Sequence, residues 1–186
     1  GEATISGTIS FTPANWDTAQ TVTVTGADDD IIDGTVSSTT TISVNDASSD
    51  NNFDAVADQT VSVSTTDDDV AGFTIAETEG STSVTEAGGT DTFTVVLNAQ
   101  PDSDVVLSII SSDTGEATVT SSLTFTSANW DTAQTVTVTG ADDDLVDGTV
   151  SSTTTISVVD AASDNNFDGV ADQTISVTTT DDDVAG

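Results

Sequence analysis

The chain repeats itself at a fixed spacing, and that limits what it can fold into. Residues 1–72 align with 115–186 at a constant offset of 114, without a gap and with 58 of 72 positions identical. FTPANWDTAQTVTVTGADDD at 11–30 returns as FTSANWDTAQTVTVTGADDD at 125–144. A period of 114 residues is the size of a single domain, and near-identity between neighbours points to a tandem array whose units touch only the next in line. The 186 residues then hold one whole unit, 73–186, preceded by the last two-thirds of another, 1–69, with 70–72 as a short linker. Residues 1–69 lack the first strands of their own unit, so alone they expose an apolar face and open strand edges. Either the start of that unit has been cropped, the reading favoured here, or strands of a neighbouring chain complete it.

Within the unit the apolar period is two. Thr135-Val136-Thr137-Val138-Thr139 and Thr174-Ile175-Ser176-Val177-Thr178 put Val and Ile on one face and hydroxyls on the other, the alternation of a half-buried strand. Similar runs cover 93–97, 105–110, 117–125 and 153–159, separated by Gly, Asp, Asn and Ser. The expectation is about seven strands per unit in an all-β fold, tandem antiparallel immunoglobulin-like β-sandwiches. Trp130, and Trp16 in the earlier copy, should plug one end of a core.

Charge narrows the function classes. Asp and Glu number 33, while Lys, Arg and His are absent, for a formal charge of −33. Self-repulsion at this level opposes a compact state unless counterions join the structure. Nucleic acid and direct membrane contact are excluded as partners, since binding phosphate takes cations the chain lacks. Without Cys no disulfide can staple the fold, so any staple is a metal. No 18-residue apolar run exists, and residues 1–30 show no signal-like segment. With no His, Cys, Lys, Arg or Tyr, only paired carboxylates could do acid–base work, and the expectation is no enzyme.

The carboxylates cluster in loops. The sextet DDDVAG occurs at 67–72 and again at 181–186, and hard oxygen ligands at this density suit Ca²⁺. In an immunoglobulin-like sandwich the loops after strands A, C and E and the end of strand G share one pole. Glu86, Asp113, Asp142, Asp143, Asp144, Asp147, Asp181, Asp182 and Asp183 fall in those places and should converge. A second signal reads D-x-N-x-D-G-x-x-D at Asp164, Asn166, Asp168 and Asp172, the opening of an EF-hand-type calcium loop. Ile175 stands where such a loop has its last ligand and no helices flank it, so it is either a calcium loop of another kind or an Asn/Asp turn. The earlier copy offers Asp50, Asn52, Asp54 and Asp58, with Ala55 in place of the glycine.

The TEAGGT turn, the SSDTGEAT loop, LTFTSANWDTAQTVTV, GADDDLVDG and DDDVAG together resemble the Calx-beta domain, the calcium-binding sandwich of sodium–calcium exchangers and of large bacterial surface proteins. The resemblance covers nearly all of 73–186 and departs from the family in the neutral GTVSST that follows the acidic loop. It implies Ca²⁺ held by Glu86, Asp113, Asp142, Asp143, Asp147, Asp181, Asp182 and Asp183. In the partial unit the matching positions are Asp28, Asp29, Asp33, Asp67, Asp68 and Asp69, and Asp30 in the same triplet is a further candidate ligand.

The expected function is a calcium-stabilised structural repeat of a long extracellular surface protein, an adhesin stalk or filament. Ca²⁺ would rigidify the inter-repeat joints, with Asp67–Asp69 facing the loop Asp164–Asp172 across one of them. Its partners would be neighbouring repeats or copies of itself. The alternative is a calcium-dependent adhesion module that binds a glycan, a protein or a surface receptor at a tip. A calcium sensor inside a cell fits less well with near-identical repeats.

Overall fold

The computed structural model describes residues 1–185. They form two compact units, one of residues 1–29 and 33–68, the other of residues 30–32 and 69 to the end. No α-helix occurs among the described residues, and no helix is long and apolar enough to cross a membrane.

The second unit has nine strands among the described residues: β5 (Phe73–Glu77), β6 (Thr82–Thr85), β7 (Thr90–Leu97), β8 (Val105–Ser111), β9 (Ala117–Val119), β10 (Ser122–Phe125), β11 (Gln134–Gly140), β12 (Thr149–Val158) and β13 (Gln173–Thr180). They build two sheets, ordered β5-β7-β11-β9 and β10-β8-β12-β13-β6. Every pairing is antiparallel except β6 with β13. This is an immunoglobulin-like sandwich, and the period-two pattern explains it. Phe93, Val95 and Leu97 of β7 and Val136 and Val138 of β11 meet Leu107 and Ile109 of β8, Ile156 of β12 and Val177 of β13 in one core. Their neighbours in sequence face outward.

Two runs differ from the sequence expectation of seven strands. The first strand breaks at Thr78–Gly80, where Glu79 (φ 56°) and Gly80 (φ 80°) take left-handed conformations. The break sends β5 to one sheet and β6 to the other. The run 117–125, read as one strand, is likewise two, β9 and β10, in opposite sheets. No Gly or Pro marks that crossing. Thr120 N–H reaches Thr137 O at 3.0 Å and Ser121 O accepts from Ile109 N–H at 2.9 Å, so successive backbone groups serve different sheets. Trp130 packs half-buried against the core.

The first unit consists of two antiparallel ribbons, β1 (Ala3–Ile5) with β2 (Val24–Gly26) and β3 (Val36–Ile42) with β4 (Gln59–Thr65). Their registers, Ala3 with Gly26 and Val36 with Thr65, are those of Ala117 with Gly140 and Val150 with Thr179 in the second unit. Burial is not reproduced. Phe125 is 0% exposed and its counterpart Phe11 55%; Phe167 is 0% exposed and its counterpart Phe53 57%. No residue from 1 to 69 is buried. The sequences match, so the difference lies in what covers them: in the second unit β5 to β8 supply Phe73, Phe93, Val95, Leu97, Val105, Leu107 and Ile109, and the first unit has no such strands. Backbone pairing within the ribbons is local and persists; the core needs both sheets.

Candidate metal centre

One pole of the second unit gathers its carboxylates, and strand register does the gathering. Thr85 of β6 pairs with Thr180 of β13 in parallel, and Glu86 N–H donates to Thr180 O at 3.1 Å. Glu86 therefore leaves its strand beside Asp181, which leaves the other. On the facing sheet Ala117 pairs with Gly140, and Ala141 N–H donates to Glu116 O at 2.9 Å. That holds Glu116 at the mouth of the acidic loop 141–148. The loop closes at Gly148, whose φ of 79° suits glycine, and the Gly148 N–H donates to Asp181 Oδ2 at 2.7 Å.

Two sets of carboxylate oxygens lie within 4.8 Å of one another: Glu86, Glu116 and Asp147, and Glu86, Asp181 and Asp183. Glu86 belongs to both. It is 1% exposed and Glu116 7%. Glu86 Oε2, Glu116 Oε2 and Asp183 Oδ2 are buried without a hydrogen-bond partner. Buried polar atoms nearly always have partners, and a buried anionic oxygen without one is costly. Oxygens this close can share one cation's shell, since Ca²⁺ takes ligands at roughly 2.3–2.6 Å. The donor set fits a hard divalent cation.

Protonation follows the same geometry. Burial first, then the charges of Asp181, Asp147, Asp143 and Glu116, push Glu86 from its ordinary 4.5 to about 7. Burial, followed by Asp147, Asp113, Asp143 and Asp181, raises Glu116. Burial, then Asp181, Asp144, Asp182 and Asp142, raises Asp183. Asp181 goes the other way, because the backbone N–H groups of Gly148, Asp183 and Asp147 hold its anionic form despite burial.

The residues expected from sequence thus separate. Glu86, Asp147, Asp181 and Asp183 come together. Asp142, Asp143, Asp144 and Asp182 border the site and act on it through charge. Asp143 Oδ1 accepts from Leu145 N–H at 2.7 Å and so shapes the loop. Asp113 also lies beside the site, but its Oδ1 closes a turn on Gly115 N–H at 3.0 Å. Glu116, three residues on, supplies the carboxylate from that loop, and sequence reasoning missed it. Its signal was rarity: the chain has five glutamates among 33 acids.

The loop Asp164 to Asp172 forms the turn rather than a carboxylate cluster. Asp164 Oδ1 accepts from Asn166 N–H at 2.9 Å, and Oδ2 accepts from Asp102 N–H at 2.7 Å and Ser103 N–H at 3.0 Å. Its oxygens latch the loop to the β7–β8 connection, and neither carboxylate set includes Asp164, Asp168 or Asp172. Asn166 turns its amide to Ile32 O at 3.4 Å. In the first unit Asp50 Oδ1 accepts from both nitrogens of Asn52, the same turn, and Asp54 and Asp58 are exposed. Of Asp28, Asp29, Asp30, Asp33, Asp67, Asp68 and Asp69, none enters a set of three. Asp67 Oδ2 accepts from Gly34 N–H at 2.7 Å, repeating the link between Asp181 and Gly148. Residues 1–69 hold no counterpart of Glu86, the carboxylate common to both sets.

No protein-family model matches the chain, and no curated protein matches it. Among solved structures, the Escherichia coli chaperone DraB aligns over 63% of this chain and 59% of its own, at 10% identity and a TM-score of 0.44. Domains 4 and 5 of the S-layer protein SbsC align over 66% of this chain and 59% of theirs, at 25% identity and a TM-score of 0.40. The apo-form Calx CBD1 domain aligns over 60% of this chain and 98% of its own, at 16% identity and a TM-score of 0.42. The chain thus spans 59% of the length of each of the first two.

Proposed function

We propose that the chain is a non-catalytic, calcium-stabilised structural repeat of a long extracellular surface protein, an adhesin stalk or filament. The observation that carries this reading is the set of three buried, unpartnered carboxylate oxygens on Glu86, Glu116 and Asp183, in a chain with no basic residue to pair them. A divalent cation would satisfy all three at once in their charged form. Glu86, Glu116 and Asp147 would hold one ion, and Glu86, Asp181 and Asp183 a second. Oxygen-only ligands from flexible loops favour Ca²⁺ over Mg²⁺, which demands stricter geometry. The bound charge offsets repulsion between four loops and ties together the ends of both sheets. Such sites fill at the millimolar calcium found outside cells, which favours a surface location and stiffened joints between neighbouring repeats. Exposed Phe11 and Trp16 are counterparts of core residues, so they read as an open core and give no support to a glycan-binding platform.

Calorimetric titration of the chelated chain tests the reading. Saturable Ca²⁺ binding that Glu86→Gln abolishes is expected. No saturable binding up to millimolar Ca²⁺ would refute it.

A further inference from the structure

Each copy of the acidic loop carries two adjacent branched apolar residues among its aspartates: Ile31-Ile32 in DDDIIDG and Leu145-Val146 in DDDLVDG. The identities differ between copies, yet both stay large and apolar. Their surroundings are unlike. Residues 30–32 are built into the second unit. Ile31 forms a parallel bridge with Gln100, Gln100 N–H donates to Asp30 O at 2.7 Å, and Asn166 Nδ2 donates to Ile32 O at 3.4 Å. Ile32 packs, half-buried, against the sandwich core. Leu145 and Val146 are 64% and 58% exposed.

We propose that Leu145-Val146 is a docking plug whose occupant is a further copy of the 73–186 sandwich, seated as residues 30–32 are seated here. The receiving groups, Gln100 and the Asn166 loop, both lie within 73–186, so every copy of that unit brings a receiver. The plug is backbone-directed as well as apolar. The bridge to Gln100 and the bond from Gln100 N–H use the loop's main chain, which tolerates Leu for Ile and Val for Ile. Nearby Asp143 presets the loop by accepting Leu145 N–H. The inference rests on the repeat-array part of the proposed function and is independent of the cation.

The chain has no cysteine, so Val146→Cys introduces a single thiol whose maleimide labelling rate reads exposure. The rate is compared in the 186-residue chain and in one lengthened by a second copy of 73–186 after Gly186. Val70→Cys, at a position 72% exposed in a linker, serves as the freely labelled control in both. Labelling of Val146→Cys about tenfold or more slower in the lengthened chain, as for a site reached only by local opening, is the expected result. The same rate in both chains overturns the proposal, and amide exchange at Val146, the counterpart of Ile32 beside the Gln100 bridge, in the unsubstituted chains reads the same contrast without any thiol. Loss of protection with calcium titration intact removes the plug alone, whereas failed calcium binding with protection intact removes the cation site alone.

Discussion

Gly140 passes so close beneath Thr85 that a Cβ built on it would sit 2.0 Å from the Thr85 carbonyl oxygen. That approach brings the end of β11 against the residue that precedes Glu86. Gly140→Ala must push Thr85 and Glu86 away, because the obstacle is backbone and cannot rotate aside. Calcium affinity is expected to fall on the order of tenfold or more, the scale at which displaced supporting groups weaken metal sites. Gly26, the same position in the first unit, would meet only Thr65 Cγ2, at 3.6 Å. Gly26→Ala should leave the titration unchanged, and equal losses from both variants would remove the explanation.

Glu116→Gln separates the charged role from the packing role. In the chelated chain the substitution removes a buried anion facing Asp147, so the melting temperature should rise. With Ca²⁺ present it removes a ligand, and the calcium-induced gain in melting temperature should shrink. Thermal melts with and without chelator report both signs. A drop in both conditions would mean that Glu116 acts only as packing.

The pH dependence follows from Glu86. Its folded form holds a proton up to about 7, against an ordinary 4.5, so the folded chain binds more protons than the unfolded one between those values. Stability of the chelated chain is therefore fully present below about pH 4.5 as far as Glu86 is concerned, and is lost as pH rises through about 7. Glu116 and Asp183 shift the same way, whereas the lowered Asp181 acts below this window. Calcium competes with the same protons, so its affinity should climb from pH 5 to about 7 and then level. Chelated stability that increases with pH across this window would contradict the assignment.

Asp164 is the control at the opposite pole. Its carboxylate accepts three backbone N–H groups, and Asp164→Ala leaves them without that partner. A loss of about 1.5–3 kcal/mol in unfolding free energy is expected, the scale of hydrogen bonds to a charged group, with calcium affinity unchanged. A parallel loss of calcium binding would return this loop to the list of metal sites.

Much of the sandwich was legible in the sequence, because alternation of Val and Ile with Thr and Ser states which face is inward at each step. What alternation cannot state is which sheet a strand joins. The breaks at Glu79–Gly80 and at Ser121 depend on the partners available on either side, and Ser121 lies in an unbroken strand-like run. The acidic pole was legible as loops but not as ligands. Density of Asp pointed to the triplets 142–144 and 181–183, yet Asp142, Asp144 and Asp182 stay outside the close sets. Glu116, the one glutamate beside Asp113 in its loop, enters because the β9–β11 register carries it there. The spacing of Asp164, Asn166 and Asp168 reads two ways, since side chains that can ligate a cation can also cap a turn, and Asp164 here accepts three backbone N–H groups.

The ribbons β1–β2 and β3–β4 keep the register of β9–β11 and β12–β13 without the strands that complete a core. The two half-sandwiches are therefore nearly interchangeable acceptors for the segment 73–111. That segment is tethered to both, through 66–72 on one side and 112–116 on the other. Affinity discriminates little between acceptors that share 58 of 72 residues. In the proposed array, pairing fidelity would be a matter of tether geometry, and near-identity between repeats would carry a kinetic cost in mispaired neighbours.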